Sequence, residues 1–177
     1  KVYLAHTLEE TARMAVDLAN GDPVKDNYCD PIDYEVSRPL AADKTVKGLY
    51  SGGSLAAEAG MLIAEALNLG GLIKEEGYIL KTGGYEVVDL GDDVYTQGKP
   101  HPMIDPEVRI KKILECAKDP QTGVILLDCM LGYGCHPDMA GALAPAIREA
   151  QKIAKADGRE LFFVASVCGT RQDPQDY

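Results

Sequence analysis

At 177 residues, 46% of them apolar and 26% charged, the chain has the composition of one well-packed domain, which excludes general disorder. A formal net charge of −10, with no basic run and few aromatic residues, argues against a nucleic-acid partner. No apolar stretch approaches the roughly 20 residues of a membrane span, and the first residues lack the form of a signal peptide.

Thr7 followed by Glu10 is a capping box, which predicts a first helix over residues 7–19. Residues 21–43 are rich in Gly, Pro, Asp and Tyr and read as a surface excursion, so residues 1–45 form an N-terminal helix with an irregular connecting segment. From residue 46 the pattern becomes regular. A strand over 46–50 ends in Ser51-Gly52-Gly53-Ser54, and an alanine-rich helix follows over 55–67. Residues 70–84 form a second excursion, with a hairpin expected over 78–88. A strand over 86–90 runs into Gly91-Asp92-Asp93, and Asp105-Pro106 opens a helix over 105–117, with Asp105 as N-cap and Pro106 in its first turn. The apolar run 124–130 suits a strand buried on both faces of a parallel sheet. It ends in Gly132-Tyr133-Gly134-Cys135, with His136, Pro137 and Asp138 forming the first turn of a helix over 138–156. The last strand, 160–167, leads into Cys168-Gly169-Thr170.

Strands alternating with helices predict an α/β domain over 46–177 with a flavodoxin-like, doubly wound parallel sheet. All four strand ends carry glycine with small or acidic residues, so they gather at one sheet edge, where ligands bind in such folds. A doubly wound domain continues through a helix into a fifth parallel strand, so the short segment after residue 168 reads as a domain lacking its C-terminal part.

Two helix-start turns, Ser51 to Ser54 and Gly132 to Cys135 with His136, have the form of anion sites, because unpaired N–H groups and the helix dipole attract phosphate or carboxylate. Gly169 and Thr170 extend the set. His136 reads in two ways, as a phosphoryl acceptor or general acid/base, or as a helix-start histidine that only contacts an anion. Ser54 is either part of an anion nest or a simple N-cap. Asp92 and Asp93, with His101 nearby in sequence, could hold Mg²⁺ with substrate phosphates, or be a solvated acidic loop. Lys99 and Arg171 are candidate cations for an anionic substrate. Cys29, Cys116, Cys129, Cys135 and Cys168 show no zinc or disulfide spacing, which points to a reducing, cytoplasmic setting. Cys129 and Cys135 flank the second turn, either as small packed residues or as a thiolate or soft-metal site.

Read together in order, the segments Gly48 to Ala59, Asp89 to Asp93, His101 to Asp105, Asp119 to Asp128, Gly132 to Asp138 and Ala165 to Thr170 resemble the FdrA family of acyl-CoA synthetase-like proteins. More distantly the chain is similar to the ligase domain of the succinyl-CoA synthetase α subunit, which has a similar Ser-Gly turn after its first strand and an Asp-Pro-Gln-Thr segment like that at Asp119 to Thr122. In those synthetases the phosphorylated histidine follows the strand corresponding to 161–167; here Gly169 to Gln175 holds no histidine, and His136 stands after the preceding strand.

The resemblance implies a ligase-type domain, with phosphoryl or acyl transfer on a small carboxylate. CoA, a nucleotide or Mg²⁺ would be bound together with other domains or subunits of the same enzyme. It also admits a carbamoyltransferase subunit acting in oxamate carbamoyl transfer during allantoin and ureide breakdown. A third reading is a non-catalytic domain that binds an anion and assembles with partners. An incomplete sheet with an exposed edge favours a homodimer.

Overall fold

The computed structural model describes residues 1–28 and 40–176, in two compact units, residues 1–39 and 40–177. Cys29 and residues 29–39 of the first excursion lie outside the described residues.

In the first unit, helix α1 (Leu8–Asn20) starts where Thr7 Oγ1 accepts the Glu10 N–H at 3.1 Å. The carboxylate of Glu10 reaches back one residue beyond the cap, to the His6 N–H at 2.5 Å. Gly21 closes the helix in the left-handed conformation, and its N–H bonds Leu18 O. Tyr28 folds back on the helix, its hydroxyl donating to Asp17 Oδ2 at 2.9 Å.

The second unit is a five-stranded sheet of order β2-β3-β1-β4-β5. Its parallel strands are β1 (Thr45–Tyr50), β3 (Tyr85–Asp89), β4 (Thr122–Met130) and β5 (Phe162–Cys168). Taken alone, these four run second, first, third, fourth, which is the expected flavodoxin-like winding. Strand β2 (Tyr78–Thr82) adds an antiparallel edge through the hairpin turn at residues 83–84.

Helix α2 (Gly53–Leu67) covers one face, while α4 (Glu107–Lys118) and α5 (Met139–Ala156) cover the other. The two-residue period of the strands divides the core. Tyr50 and Val87 pack with Ala56, Ala64 and Leu80 toward α2, whereas Leu49 and Val88 pack with Ile113, Ile125, Leu127 and Leu143 toward α4 and α5. Strand β5 lies at the opposite edge from β2, and its Val164 and Val167 remain more than half exposed.

Several boundaries differ from the sequence reading. Helix α2 begins two residues early with Gly52 as its N-cap, so Ser54 lies inside the first turn and is not the cap. Pro106 already has helical angles, but α4 is regular only from Glu107, whose N–H is accepted by Asp105 Oδ1 at 2.9 Å. His136 and Pro137 precede α5 and do not form its first turn; Asp138 caps it, accepting the Gly141 N–H at 2.7 Å. A one-turn helix, α3 (Asp93–Thr96), stands where the sequence shows only an acidic loop, because four residues are too few to show a period. Among the described residues no helix is long and apolar enough to cross a membrane.

Candidate functional site

The C-terminal ends of β3, β1 and β4 stand side by side, so three turns distant in sequence share one edge. Their anchor is Asp128, followed in β4 only by Cys129 and Met130, which is 1% exposed. It accepts the Ser51 N–H on both carboxylate oxygens at 3.0 Å and the Ser51 hydroxyl at 2.7 Å. From below, Arg109 of α4 donates to Asp128 Oδ1 at 2.8 Å and to the Asp128 carbonyl at 2.5 Å. A buried carboxylate costs several kcal/mol unless it is paired and fully hydrogen-bonded, and this one is both (about 3–5 kcal/mol is typical for breaking such a pair). Arg109 is completely buried, and its Nε and second terminal nitrogen find no partner among the described residues.

Ser51 is therefore a structural member of the first turn: its polar groups are used within the protein. No hydrogen-bond partner among the described residues engages the N–H groups of Gly52, Gly53 and Ser54, which are the open donors of α2.

Opposite them stands Asp89, at the end of β3. Its Oδ1 accepts the Gly91 N–H at 2.8 Å, and a methyl group on Gly53 would lie 2.9 Å from Oδ2. The N-terminus of α2 thus already faces one carboxylate, a favourable arrangement for the helix dipole. Burial raises the Asp89 pKa, opposed by the Gly91 N–H.

His101 completes this corner. A methyl group on Gly91 would lie 2.6 Å from His101 Nε2, 2.7 Å from the Ser51 carbonyl oxygen and 3.1 Å from Asp89 Oδ1, so only glycine fits where the three converge. The ring is fixed from its other nitrogen, since Nδ1 accepts the Met103 N–H at 3.2 Å. In the neutral imidazole that leaves the proton on Nε2.

The second turn uses more of its N–H groups internally than its sequence suggests. Gln175 reaches across from the segment after β5: its Oε1 accepts the Gly132 N–H and its Nε2 donates to the Gly132 carbonyl, both at 2.9 Å. The Cys135 N–H bonds the Gly132 carbonyl, and the His136 N–H bonds the Met103 carbonyl at 2.7 Å. Tyr133 and Gly134 keep N–H groups with no partner among the described residues, and Tyr133 is almost fully exposed. Gly132 (φ 124°) and Gly134 (φ 87°) hold left-handed conformations that a side chain would strain. A cleft of about 170 Å³ lies between this turn and Pro174-Gln175. His136 Nδ1 accepts the Asp138 N–H at 3.0 Å, so its neutral ring also carries the proton on Nε2.

The remaining candidates are dispersed. Asp173 caps the Thr170 N–H, and Thr170 Oγ1 accepts the Gln172 N–H, so the Gly169-Thr170 turn closes on itself. Asp92 is the N-cap of α3, its Oδ1 accepting the Val94 N–H at 3.0 Å. No three His, Cys, Asp or Glu side chains among the described residues gather closely enough to hold a metal. Lys99 lines a separate cleft of about 600 Å³ between the α3 loop and α4, and Arg171 is exposed. Cys129 is buried against the core, and burial raises its thiol pKa, which disfavours the thiolate. The Cys135 thiol contacts the Leu131 carbonyl at 3.7 Å.

Sequence reasoning missed Asp89, Asp128, Arg109 and Gln175 as members of this edge. Asp89 and Asp128 left a signal, each an acidic residue near the end of an apolar run.

Residues 49–177 match the CoA-ligase family. The chain is also 37% identical over 155 residues to the uncharacterized protein YahF of Escherichia coli (strain K12), an alignment that covers 79% of this chain and 30% of that protein.

Proposed function

Because the chain belongs to the CoA-ligase family, we propose that it is the ligase-type domain of an FdrA-like acyl-CoA synthetase, serving acyl or phosphoryl transfer on a small carboxylate. The observation that supports this is the shared edge: the open N–H groups of α2, the Asp89–His101 corner and the Gly132–His136 turn all stand at the C-terminal ends of adjacent parallel strands. In this reading the first turn of α2 and the Tyr133-Gly134 amides hold phosphate or carboxylate oxygens, and the histidines serve the reacting group. CoA and nucleotide, with any Mg²⁺, would be bound with other domains or subunits, since the chain spans 30% of the relative it matches. The open β5 edge supports assembly of that kind or as a homodimer.

A second reading, carbamoyl transfer to a small acceptor such as oxamate, is favoured by the state of the two rings. Each accepts a backbone N–H at Nδ1, so in neutral form neither His101 nor His136 offers an unprotonated nitrogen to a phosphoryl group. Direct transfer from an acyl or carbamoyl phosphate needs no phosphohistidine.

Incubation with acetyl phosphate and carbamoyl phosphate, followed by intact-mass measurement of wild type and His136→Ala, tests the choice. A phosphoryl adduct that disappears in the variant selects the phosphohistidine route. Phosphate-induced shifts of the Gly53, Ser54, Tyr133 and Gly134 amides without an adduct select direct transfer. Absence of both would overturn the anion site itself.

A further inference from the structure

We propose that the Gly132 turn is a recognition site for a primary carboxamide, in which the Gln175 side chain stands where the H₂N–CO group of a small ligand binds and is displaced by it. The inference rests on the carbamoyl-transfer reading above and names the residues that would hold that group.

Three hydrogen bonds carry it. Gln175 lies between the exposed Pro174 and Asp176, yet is itself half-buried against the turn. Its Oε1 accepts the Gly132 N–H at 2.9 Å, and its Nε2 donates to the Gly132 carbonyl at 2.9 Å and to the His136 carbonyl at 3.4 Å. One donor and two acceptors, all of them backbone groups, thus match the two ends of a single amide. The same partners fix which way the amide points, because an N–H needs an oxygen and a carbonyl needs an N–H. A carboxylate or phosphate in that place would set an oxygen against two carbonyl oxygens and leave both without a donor. Asp173 adds to the bias: its Oδ1 stands 3.6 Å from where a methyl group on Gly132 would lie, so a carboxylate is already beside the turn.

The cleft between the turn and Pro174-Gln175 measures about 170 Å³, below the roughly 300–1,000 Å³ that takes drug-sized ligands, so its occupant is small. Tyr133 and Gly134, which line the same cleft, have N–H groups with no partner among the described residues. A molecule that joins a carboxamide to an anionic group, as oxamate and carbamoyl phosphate do, therefore meets partners for both of its halves in one turn.

The test follows Gly132 amide exchange by NMR at pH 7 on the full chain, for wild type, Gln175→Ala and Gln175→Glu, with oxamate or oxalate as probe. Oxalate has the frame of oxamate with a second carboxylate in place of the carboxamide. Exchange at Gly132 should rise about fivefold or more in both variants, since glutamate has no N–H for the two carbonyls. Oxamate should restore protection in Gln175→Ala and shift the Gly132, Tyr133 and Gly134 amides saturably, with oxalate weaker by about tenfold or more. In wild type the side chain competes, so oxamate should bind more weakly there than in Gln175→Ala. Wild-type protection in Gln175→Glu, or equal effects of oxamate and oxalate, overturns the carboxamide site and leaves an anion site at this turn. Oxamate affinity unchanged by Gln175→Ala overturns the displacement of Gln175. The carbamoyl-transfer reading is judged apart, by whether carbamoyl phosphate shifts the Gly53 and Ser54 amides. If it does while oxamate leaves Gly132 untouched, this site falls and that reading stands; if oxamate restores Gly132 while carbamoyl phosphate moves neither amide, the site stands and that reading falls.

Discussion

Asp128 and Ser51, 77 residues apart, are joined by three hydrogen bonds in which both the N–H and the hydroxyl of Ser51 donate to one carboxylate. That clamp ties the end of β1 to the end of β4 just before the first turn of α2, so the geometry of this edge depends on a buried carboxyl group. Asp128→Ala would leave Arg109 charged and unpaired in the interior, and should cost about 3–5 kcal/mol of unfolding free energy, read from urea denaturation. Ser51→Ala, which keeps the N–H bonds and loses only the hydroxyl, should cost about 1 kcal/mol. A loss of comparable size in both variants would mean that the Arg109 pair contributes nothing.

Gly91→Ala tests the close approach at the other corner. The new methyl group meets the Ser51 carbonyl oxygen, which is backbone and cannot swing away, as well as the His101 ring. Overpacking of that kind costs about 1–3 kcal/mol, and a crystal structure of the variant should show His101 displaced from Asp89. An unmoved ring at full stability would show that the corner has slack.

Much of this arrangement can be read from residue order, and the limits follow from what a local pattern can carry. Apolar runs ending in glycine, such as Val124 to Met130 before Gly132, mark buried parallel strands and their functional ends because only those strands are apolar on both faces. The pairing of Ser51 with Asp128, or of Asp89 with His101, leaves no periodic trace, because it arises only when β3, β1 and β4 lie side by side. Arg109 misleads in the opposite direction: a charge on an amphipathic helix reads as solvent-facing, yet here it is fully buried under Asp128. Asp92 caps a helix of four residues, too short to show a period in the sequence.

Gln175→Ala should loosen the second turn. The amide of Gln175 holds both the N–H and the carbonyl of Gly132, and reaches the His136 carbonyl at 3.4 Å, so its loss removes two good hydrogen bonds from a turn built of left-handed glycines. The expected cost is about 1–2 kcal/mol, with faster amide exchange at Gly132 and no change at Ser51. Unchanged exchange at Gly132 would show that the turn holds its shape without Gln175.

Asp89 gives the chain a pH dependence of definite sign. Burial lifts its folded pKa above the unfolded value of 3.8, so between those two values the folded state holds more protons than the unfolded one. Stability from this group is therefore fully present below pH 3.8 and is lost as pH rises through the folded pKa, the reverse of an ion-paired carboxylate such as Asp119, whose burial is outweighed by the Gln121 N–H and Lys47. Asp89→Asn cannot ionise and should abolish that loss, so its stability relative to wild type should improve as pH is raised from below 3.8 to neutrality. Urea midpoints for both proteins across that range measure the difference; a gap that narrows in favour of wild type with rising pH would mean that the α2 N-terminus holds Asp89 ionised more strongly than burial opposes it.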